Sequence, residues 1–294
     1  MTRLRAFSLG VCLAAFLASP AVGWEWPVPV PTVERTFGTR VDGTILRGVE
    51  LGGGAQPVFA VNDGVVVYVH QDGGQFDHPF GSFVVVEHDQ AFRSIYAHLS
   101  SDSLPPVGRA VNSETQIGVA GDSGSVRQRV LRLYVFDSRN QAYVNPMLLL
   151  PNTPDSALPF IGTVFATGET GSYNLDAVST VPPGTYRLSA EISDAVGSRG
   201  ARGVAAPYSI ALFVDGQQRF VMRADGLSID DGEVRVSPHG NGTEMYGAQG
   251  GWVIGTIEVP TAPMTVELVV LDFAGNQRVR TVRIEGSATD EDVQ

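Results

Sequence analysis

The chain has 294 residues, of which 43% are hydrophobic and 17% charged, and its formal net charge is -11. This hydrophobic content is enough for a buried core and excludes wholesale disorder. The negative charge makes nucleic acid and anionic membrane surfaces poor general partners, so neither is expected. The single cysteine, Cys12, lies near the N-terminus, so the rest of the chain can form neither an internal disulfide nor a thiolate metal site.

Residues 1–23 have the composition of an export signal. Arg3 and Arg5 form a basic N-terminal region, residues 6–18 are predominantly apolar, and small residues precede Trp24. The apolar run is too short and too rich in small residues for a stable membrane span. We therefore predict cleavage after Gly23 and export to the periplasm or the extracellular side of the cell envelope, with no membrane span after cleavage.

Short strand-like segments dominate the next part of the chain. Residues 24–36 are expected to be an extended, Pro-rich leader. Residues 37–150 contain runs rich in Val, Ile, Tyr and Phe, which are typical of β-strands, and Asn62-Asp63-Gly64 predicts a hairpin turn between two of them. The predicted strands are residues 58–61, 64–70, 83–88, 94–99, 117–120 and 130–136.

A second strand-rich block, residues 160–286, follows a linker over residues 151–159. Hairpin turns are predicted at residues 214–217 and 272–276. The acidic tail, residues 287–294, is expected to be disordered. Several short strands at this spacing predict a β-sandwich, so the whole protein is expected to be all-β with two domains. The predicted strands of this block are residues 185–192, 209–214, 218–222, 252–259, 265–271 and 278–284.

Several blocks of the first domain stand in an order that is known from one enzyme family. They are Gly48-Val49-Glu50-Leu51, Val84-Val85-Val86-Glu87-His88, Tyr96-Ala97-His98-Leu99, Gly121-Asp122-Ser123-Gly124 and Asn145-Pro146. With these blocks, residues 37–150 resemble the LytM/lysostaphin-type zinc endopeptidases, which cut peptidoglycan cross-links. The resemblance implies an antiparallel β-sheet domain with a groove. Residues 207–216 and 271–276 resemble segments of Ig-like modules attached to exported bacterial proteins, which more often bind partners or act as spacers than catalyse.

The resemblance also implies which positions carry chemistry. In that family a His, an Asp four residues later and the second His of a His-x-His strand bind zinc. The first His of His-x-His and the His of the Tyr-x-His-Leu segment handle the proton and the transition-state charge. Residues two apart on a strand face the same side, so both His of the pair reach the groove. The zinc keeps one open position for a water molecule, whose pKa it lowers.

Carried over to this sequence, most of these positions have lost their chemistry. The three ligand positions fall on Leu46, Glu50 and Arg132, the first His of the pair falls on Val130, and only His98 remains as a catalytic remnant. Leu46 and Val130 have no lone pair, and Arg132 is a permanent cation that repels a metal. The prediction is therefore a degenerate domain with no metal and no cofactor; zinc is expected only if an altered ligand set is used.

The apolar phase of the last strand supports this alignment. Leu131, Leu133 and Val135 are expected to face the core, which leaves Arg132 on the groove side. Because a guanidinium fork matches a carboxylate, we hypothesise that Glu50 and Arg132 form an ion pair where zinc would have bridged the strands. The alternative is that both side chains reach solvent at the mouth of the groove.

The other histidines carry weaker alternatives. His70 and His78 flank an expected exposed loop and could bind a metal with His88 and an aspartate such as Asp72 or Asp77, but their spacing favours no shared face. His88 is instead expected to make a structural hydrogen bond near a strand end. His239 is expected to be solvated, and Asn241-Gly242-Thr243 matches a glycosylation pattern that is frequent by chance.

Two further features have a functional and a structural interpretation. Ser123 in Gly121-Asp122-Ser123-Gly124 could be read as a serine nucleophile, but a tight turn before the last strand explains it sufficiently. Tyr246 and Trp252 could form an aromatic contact patch, although half-buried aromatics of a sandwich are more common.

The leading hypothesis is an exported, non-catalytic protein of the cell envelope. It would bind peptidoglycan, or position or regulate a cell-wall hydrolase such as an amidase. The groove that would do so is lined by Leu46, Glu50, His98, Val130 and Arg132. One alternative is an active zinc metalloendopeptidase that cleaves peptidoglycan peptides with an altered ligand set, and another is a structural spacer of the envelope.

Overall fold

The computed structural model describes residues 23–41, 43–74, 76–196, 203–230, 233–237, 245–247 and 251–287. Residues 1–22 of the predicted export signal, His239, the Asn241-Gly242-Thr243 pattern and residues 288–294 of the acidic tail lie outside this part. The described chain is all-β apart from three single-turn 3-10 segments, Asp89–Ala91, Ser101–Ser103 and Pro146–Leu148. None of its helical segments is long or apolar enough to cross a membrane.

The first half of the described chain is built around an antiparallel sheet in the order β1-β4-β11-β8-β7-β6-β9. Alternate residues of its strands fill one core, so Leu131, Leu133 and Val135 are completely buried, as predicted. The opposite face of β4 and β11 carries Glu50 and Arg132. The strands of this half are β1 (Thr32–Arg35), β2 (Arg40–Val41), β3 (Thr44–Ile45), β4 (Gly48–Gly52), β5 (Pro57–Phe59), β6 (Gly64–His70), β7 (Ser82–Glu87), β8 (Phe92–Leu99), β9 (Ala110–Val111), β10 (Gln116–Val119), β11 (Leu131–Asp137) and β12 (Ala142–Val144).

The hairpin predicted at Asn62-Asp63-Gly64 is wrong. β5 pairs with β10 in a separate small sheet, whereas β6 pairs with β7 and β9. Val58, Ala60 and Val61 are all fully buried in the core that the main sheet covers. Burial of these apolar side chains therefore outweighed the local turn preference, and the chain changes layer at this point instead of folding back on itself.

Residues 24–36, expected to be a leader, are built into the first half of the fold. Trp24, Val28 and Val33 are buried in its core. β1 pairs antiparallel with β4, with Val33 opposite Leu51 and Arg35 opposite Glu50. The leader thus contributes both a strand and core side chains.

The second half is a β-sandwich. One of its sheets contains β14-β13-β16 with β22 paired to β16, and the other has the order β15-β24-β23-β18-β19. Apolar side chains from both sheets form one core, in which Leu188, Leu212, Ile254 and Leu268 are almost completely buried. The strands are β13 (Phe160–Gly168), β14 (Gly171–Asn174), β15 (Thr180–Val181), β16 (Gly184–Val196), β17 (Gly203–Ala205), β18 (Ser209–Val214), β19 (Gln217–Arg223), β20 (Gly226–Asp230), β21 (Glu233–Ser237), β22 (Trp252–Val259), β23 (Met264–Leu271) and β24 (Gln277–Gly286).

Both hairpins predicted in this half are confirmed. β18 and β19 are joined by Asp215 and Gly216, whose φ angles of 49° and 76° are the left-handed pair that a tight two-residue hairpin requires. β23 and β24 are joined by the turn at residues 272–276, where Asp272 accepts hydrogen bonds from Asn276.

The two halves share a hydrogen-bonded sheet. β17 pairs antiparallel with β16 and parallel with β1, where Arg35 lies opposite Val204. β20 pairs with β12, with Leu227 opposite Tyr143. β1 is therefore held along both edges, by β4 on one side and by β17 of the second half on the other.

Candidate functional site

Three charged residues lie in one row across the first sheet. Arg35 on β1 and Arg132 on β11 are each the direct partner of Glu50 on β4. Directly opposed residues of antiparallel strands project to the same face, with Cβ atoms about 5 Å apart. The backbone register therefore sets a carboxylate between two guanidinium groups.

The Glu50 carboxylate is buried and paired on both oxygens. Its side chain is 1% exposed, and its Oε2 accepts a hydrogen bond from Arg132 Nε at 2.6 Å. Its Oε1 accepts a hydrogen bond from Arg35 Nη1. The ion-pair hypothesis for Glu50 and Arg132 is thus confirmed, and the alternative in which both reach solvent is wrong for Glu50. A buried charge of this kind is tolerated only when it is paired and hydrogen-bonded.

Arg35 is a member of this site that sequence reasoning missed. It lies in the segment interpreted as a leader, 15 residues before Glu50, on a strand of only four residues. The sequence offers one indication of a strand here, the pair of β-branched residues Thr32 and Val33 after the Pro-rich run. This pair does not indicate which other strand it would be bonded to. We refer to Arg35, Glu50 and Arg132 below as the charged triad.

Leu46, which the resemblance places at the first ligand position, packs in a small apolar cluster. Phe83, Ala97 and Tyr134 are buried with it. Ala97 is the direct partner of Arg132, which puts this cluster beside the charged triad. Phe80 stacks on Tyr134 with ring centroids 4.8 Å apart, so aromatic side chains cover this part of the groove face.

Val130 lies in the wall of a cavity that the charged triad also lines. It is 2% exposed, and its N–H donates to the Gly121 carbonyl at 2.9 Å. The cavity has a volume of about 310 Å³. Its lining consists of the charged triad and Val41, Ser125, Val126, Arg127, Gln128 and Val130.

His98 is completely buried in an unusual backbone conformation. Its φ of 66° lies in the left-handed region, which a residue with a Cβ rarely adopts. Its N–H donates to the Phe80 carbonyl, its Nδ1 donates to the Ser123 carbonyl at 2.9 Å, and its Nε2 has no hydrogen-bond partner within the described chain. Burial, the largest cause, and the charge of Arg132 together lower the pKa of His98 to about 4, against the opposing effects of the Ser123 hydrogen bond and the Glu50 charge. His98 is therefore a neutral imidazole with its lone pair on Nε2.

This assignment predicts the titration of His98. In ¹⁵N NMR spectra, the ring nitrogens should show the neutral Nδ1–H tautomer throughout the range from pH 8 to pH 5, with a midpoint near the pKa of about 4. The resonances are assigned by their loss in His98→Gln. A His98 midpoint near the ordinary value of 6.5 would contradict the buried, unprotonated ring.

The donor set at these positions does not fit a catalytic zinc. Leu46 and Val130 offer no donor atom, Arg132 is a cation, and both oxygens of Glu50 are engaged by guanidinium groups. Of the residues at these positions, His98 alone keeps a free lone pair, on Nε2, which has no hydrogen-bond partner within the described chain. A catalytic zinc needs three protein ligands. Even if both guanidinium groups left the Glu50 carboxylate, the site would offer only two ligand residues, Glu50 and His98.

The other histidines that the structure describes are His70, His78 and His88. His88 Nδ1 pairs with the Asp63 carbonyl and Nε2 with Ser94 Oγ, both at 2.7 Å, which confirms the predicted structural role. His70 and His78 do come together, with ring centroids 5.7 Å apart, and both pack against Phe83. Within the described residues, however, they do not form a three-ligand group with the neighbouring aspartates.

The structure also decides between the alternative interpretations of Ser123 and of Trp252. Ser123 Oγ accepts from the Ser82 N–H and donates to the Leu99 carbonyl, both at 2.8 Å, so its hydroxyl serves the tight turn. Trp252 is 3% exposed and donates through Nε1 to the Ile192 carbonyl. Because Trp252 belongs to the sandwich core, the aromatic contact patch is wrong for this residue.

With this geometry in place, comparison with known proteins identifies the first domain. Residues 44–146 match peptidase family M23, and a second family model, which carries no functional description, matches residues 158–286. No curated protein matches the chain. Residues 44–146 are thus a peptidase family M23 domain, the LytM type that the sequence resembles, followed by a β-rich domain.

Solved structures similar to this chain include a zinc containing peptidase from Vibrio cholerae, with 23% identity, a TM-score of 0.36 and coverage of 45% of this chain and 41% of that one. The SpoIIQ–SpoIIIAH pore forming complex matches with 19% identity, a TM-score of 0.37 and coverage of 44% and 90%. The catalytic domain of lysostaphin from Staphylococcus simulans matches with 22% identity, a TM-score of 0.30 and coverage of 36% and 78%. The chain therefore spans less than half the length of the Vibrio cholerae peptidase, and overlaps of this size transfer no function to it.

Proposed function

We propose that this protein is exported to the cell envelope, where its M23 domain binds peptidoglycan without cleaving it. The observation that carries the proposal is the Glu50 carboxylate clamped between Arg35 and Arg132. Two of these three residues occupy positions at which the resemblance expects zinc ligands. The proposal that the protein is exported rests on the composition of residues 1–23.

The chemistry of the charged triad argues against hydrolysis. A metal in this position would polarise a peptide carbonyl and supply a hydroxide through an exchangeable water ligand. A guanidinium group supplies positive charge but has no coordination position and cannot accept a proton. Val130 likewise cannot move a proton. The groove therefore keeps a positively charged centre, and His98 is the one residue of the five positions that can still accept a proton.

The same groove keeps features that suit recognition. The cavity beside the charged triad is lined by guanidinium, hydroxyl and amide groups together with three valine side chains. Such a mixed lining fits a short peptide with polar and aliphatic parts, as in the stems of peptidoglycan. A protein partner such as a cell-wall amidase remains the competing occupant, and the experiment below separates the two.

The first test measures zinc and hydrolysis with the purified mature chain. We expect zinc far below one equivalent after equilibration and no release of muropeptides from purified sacculi. His98→Ala serves as the matched variant, since it removes the remaining lone pair of the groove. Near-stoichiometric zinc that is lost in His98→Ala, together with muropeptide release by the parent protein, would establish the zinc endopeptidase instead.

The second test measures binding. The mature chain is expected to co-sediment with purified sacculi, and soluble muropeptides should release it in competition. If sacculi do not retain the protein but a purified envelope amidase does, the protein regulates a hydrolase and does not bind the wall directly. Retention by neither would favour the spacer function.

A further inference from the structure

The cavity beside the charged triad contains more positive charge than its carboxylate neutralises. Three guanidinium groups, those of Arg35, Arg127 and Arg132, line it, and Glu50 is the one carboxylate in its lining. The carboxylate of Glu34 also lies close by, because its Oε2 accepts a hydrogen bond from the lining residue Gln128. Even with Glu34 counted, the cavity is cationic, in a protein whose formal net charge is -11.

Two of the guanidinium groups are held in place before any ligand arrives. Arg132 donates to Glu50 through Nε and Arg35 through Nη1, and their strands are paired directly with β4. Each guanidinium has five N–H donors, so each keeps donors that Glu50 does not use, although Tyr134 also hydrogen-bonds Arg132. A partner that binds here does not have to order these two long side chains, which lowers the cost of binding.

The third guanidinium is placed differently. Arg127 lies on the segment that leads into β11, and its side chain is exposed. Across the described chain it has no salt bridge with a carboxylate, whereas Arg35 and Arg132 do. Arg127 can therefore close over a ligand that the two fixed arginines have already engaged.

We propose that this cavity is a carboxylate-binding subsite, in which Arg127 and the outward N–H groups of Arg35 and Arg132 hold a free carboxylate of a peptidoglycan stem peptide. The inference rests on the proposed function and specifies which chemical group the groove recognises. A guanidinium fork matches a carboxylate in a bidentate arrangement. Val41, Val126 and Val130 provide apolar wall for a small aliphatic side chain next to that carboxylate.

Two features favour a peptide carboxylate over other anions. The volume of about 310 Å³ suits a residue or two of peptide and excludes a folded segment. The negative charge of the whole protein opposes long polyanions, whose remaining charges would lie over an acidic surface.

The experiment compares two neighbouring arginines with soluble peptides. Arg127→Gln removes the exposed cation that lines the cavity. Arg129→Gln is the matched control, because Arg129 is 58% exposed, has only a 3.9 Å contact to Asp122 and is not part of the lining. The probes are a synthetic tetrapeptide stem with free carboxylates and the same peptide with every carboxylate amidated, and affinity is measured by calorimetry.

Arg127→Gln should weaken binding of the acidic peptide by about tenfold, as expected for one charge-assisted hydrogen bond. Arg129→Gln should change the affinity for the acidic peptide by no more than about twofold, as expected for a surface charge that solvent screens. Amidation of the peptide should weaken binding by at least as much as Arg127→Gln does. With the amidated peptide, Arg127→Gln should have no further effect on the affinity, because both changes remove the same interaction.

Other outcomes overturn the inference. Equal binding of the acidic and amidated peptides, or equal losses in the two arginine variants, would mean that the cavity does not recognise a carboxylate. If sacculi still retain the protein in that case, the proposed function stands and only the subsite is wrong. If wild-type protein binds neither sacculi nor peptide, both proposals fail.

Discussion

Glu50→Gln is expected to lower the free energy of unfolding by about 3 kcal/mol or more. The substitution keeps the size of the side chain but removes the charge that Arg35 and Arg132 share. Two guanidinium groups then lie side by side without a counter-charge, and Arg132, at 17% exposure, has little access to water. Equilibrium unfolding in urea, followed by circular dichroism, measures the change.

The matched control is an ion pair of similar length on the surface of the same sheet. Arg93 donates to Glu87 at 2.7 Å, but both side chains are about half exposed, at 46% and 45%. Because solvent screens this pair, Glu87→Gln should lower the free energy of unfolding by less than about 1 kcal/mol. Similar losses in the two variants would contradict the special role of the buried carboxylate.

A triple substitution separates the pairing of the charges from the packing of the site. Replacing Glu50 by Leu and both Arg35 and Arg132 by Met removes the charges together. Because the cost of a broken buried ion pair comes largely from the charge that stays behind, the triple variant should be more stable than Glu50→Gln. The subsite proposal adds that this triple variant no longer binds the acidic peptide.

Asp194→Asn is expected to stabilise the protein at pH 8 by up to about 4 kcal/mol and to have little effect near pH 4. Asp194 and Asp272 are 7% and 2% exposed, and one oxygen of each lies within 4.8 Å of the other and of an Asp155 oxygen. Burial, the largest cause, and the charges of Asp272 and Asp155 together raise the pKa of Asp194 from 3.8 to about 7, against the opposing effect of the hydrogen bond from the Ala195 N–H. The site lies where the linker residue Asp155 meets β16 and the turn between β23 and β24.

Asp194→Asn should be stabilising at high pH because the folded and unfolded states bind a different number of protons at this position. Between about pH 4 and pH 7 the folded state holds a proton on Asp194 that the unfolded state has released, so stability is lost as the pH rises through this window. Asparagine mimics the protonated carboxyl group at every pH and should remove this loss. The lowered pKa values of His88 and His98 act in the opposite sense below pH 6.5, so the difference between variant and wild type isolates Asp194.

Asp137→Asn is the control of opposite sign. Burial tends to raise the pKa of Asp137, but hydrogen bonds from the Asn140 side chain and from the backbone N–H groups of Asn140 and Arg139 outweigh it, so the pKa is lowered overall. Its carboxylate therefore stabilises the folded state at neutral pH, and the asparagine variant should be destabilised at pH 8. Unfolding is measured at pH 4, 6 and 8 with EDTA present, so that no divalent cation neutralises the aspartates. An Asp194→Asn variant with the same pH dependence as wild type would refute the argument.

Much of the local structure could be predicted from the chain alone. Alternation identified β11 and its buried face, because a period of two is an intrinsic property of a strand. Asp215-Gly216 identified a hairpin, because few residue pairs adopt the left-handed conformation at low cost. Asn62-Asp63-Gly64 carries an equally strong signal and led to a wrong prediction, since burial of the preceding apolar residues decided the pairing of β5.

The sequence by itself determined which groups can no longer act as ligands. Leu46, Val130 and Arg132 lack a usable lone pair in any fold, because donor chemistry belongs to the side chain and not to its surroundings. Only the tertiary structure decided what stands in their place. Arg35 joins Glu50 through the pairing of β1 with β4, and Asp155, Asp194 and Asp272 meet through packing of segments far apart in the chain. Such contacts depend on long-range register and burial, which no local pattern of residues records.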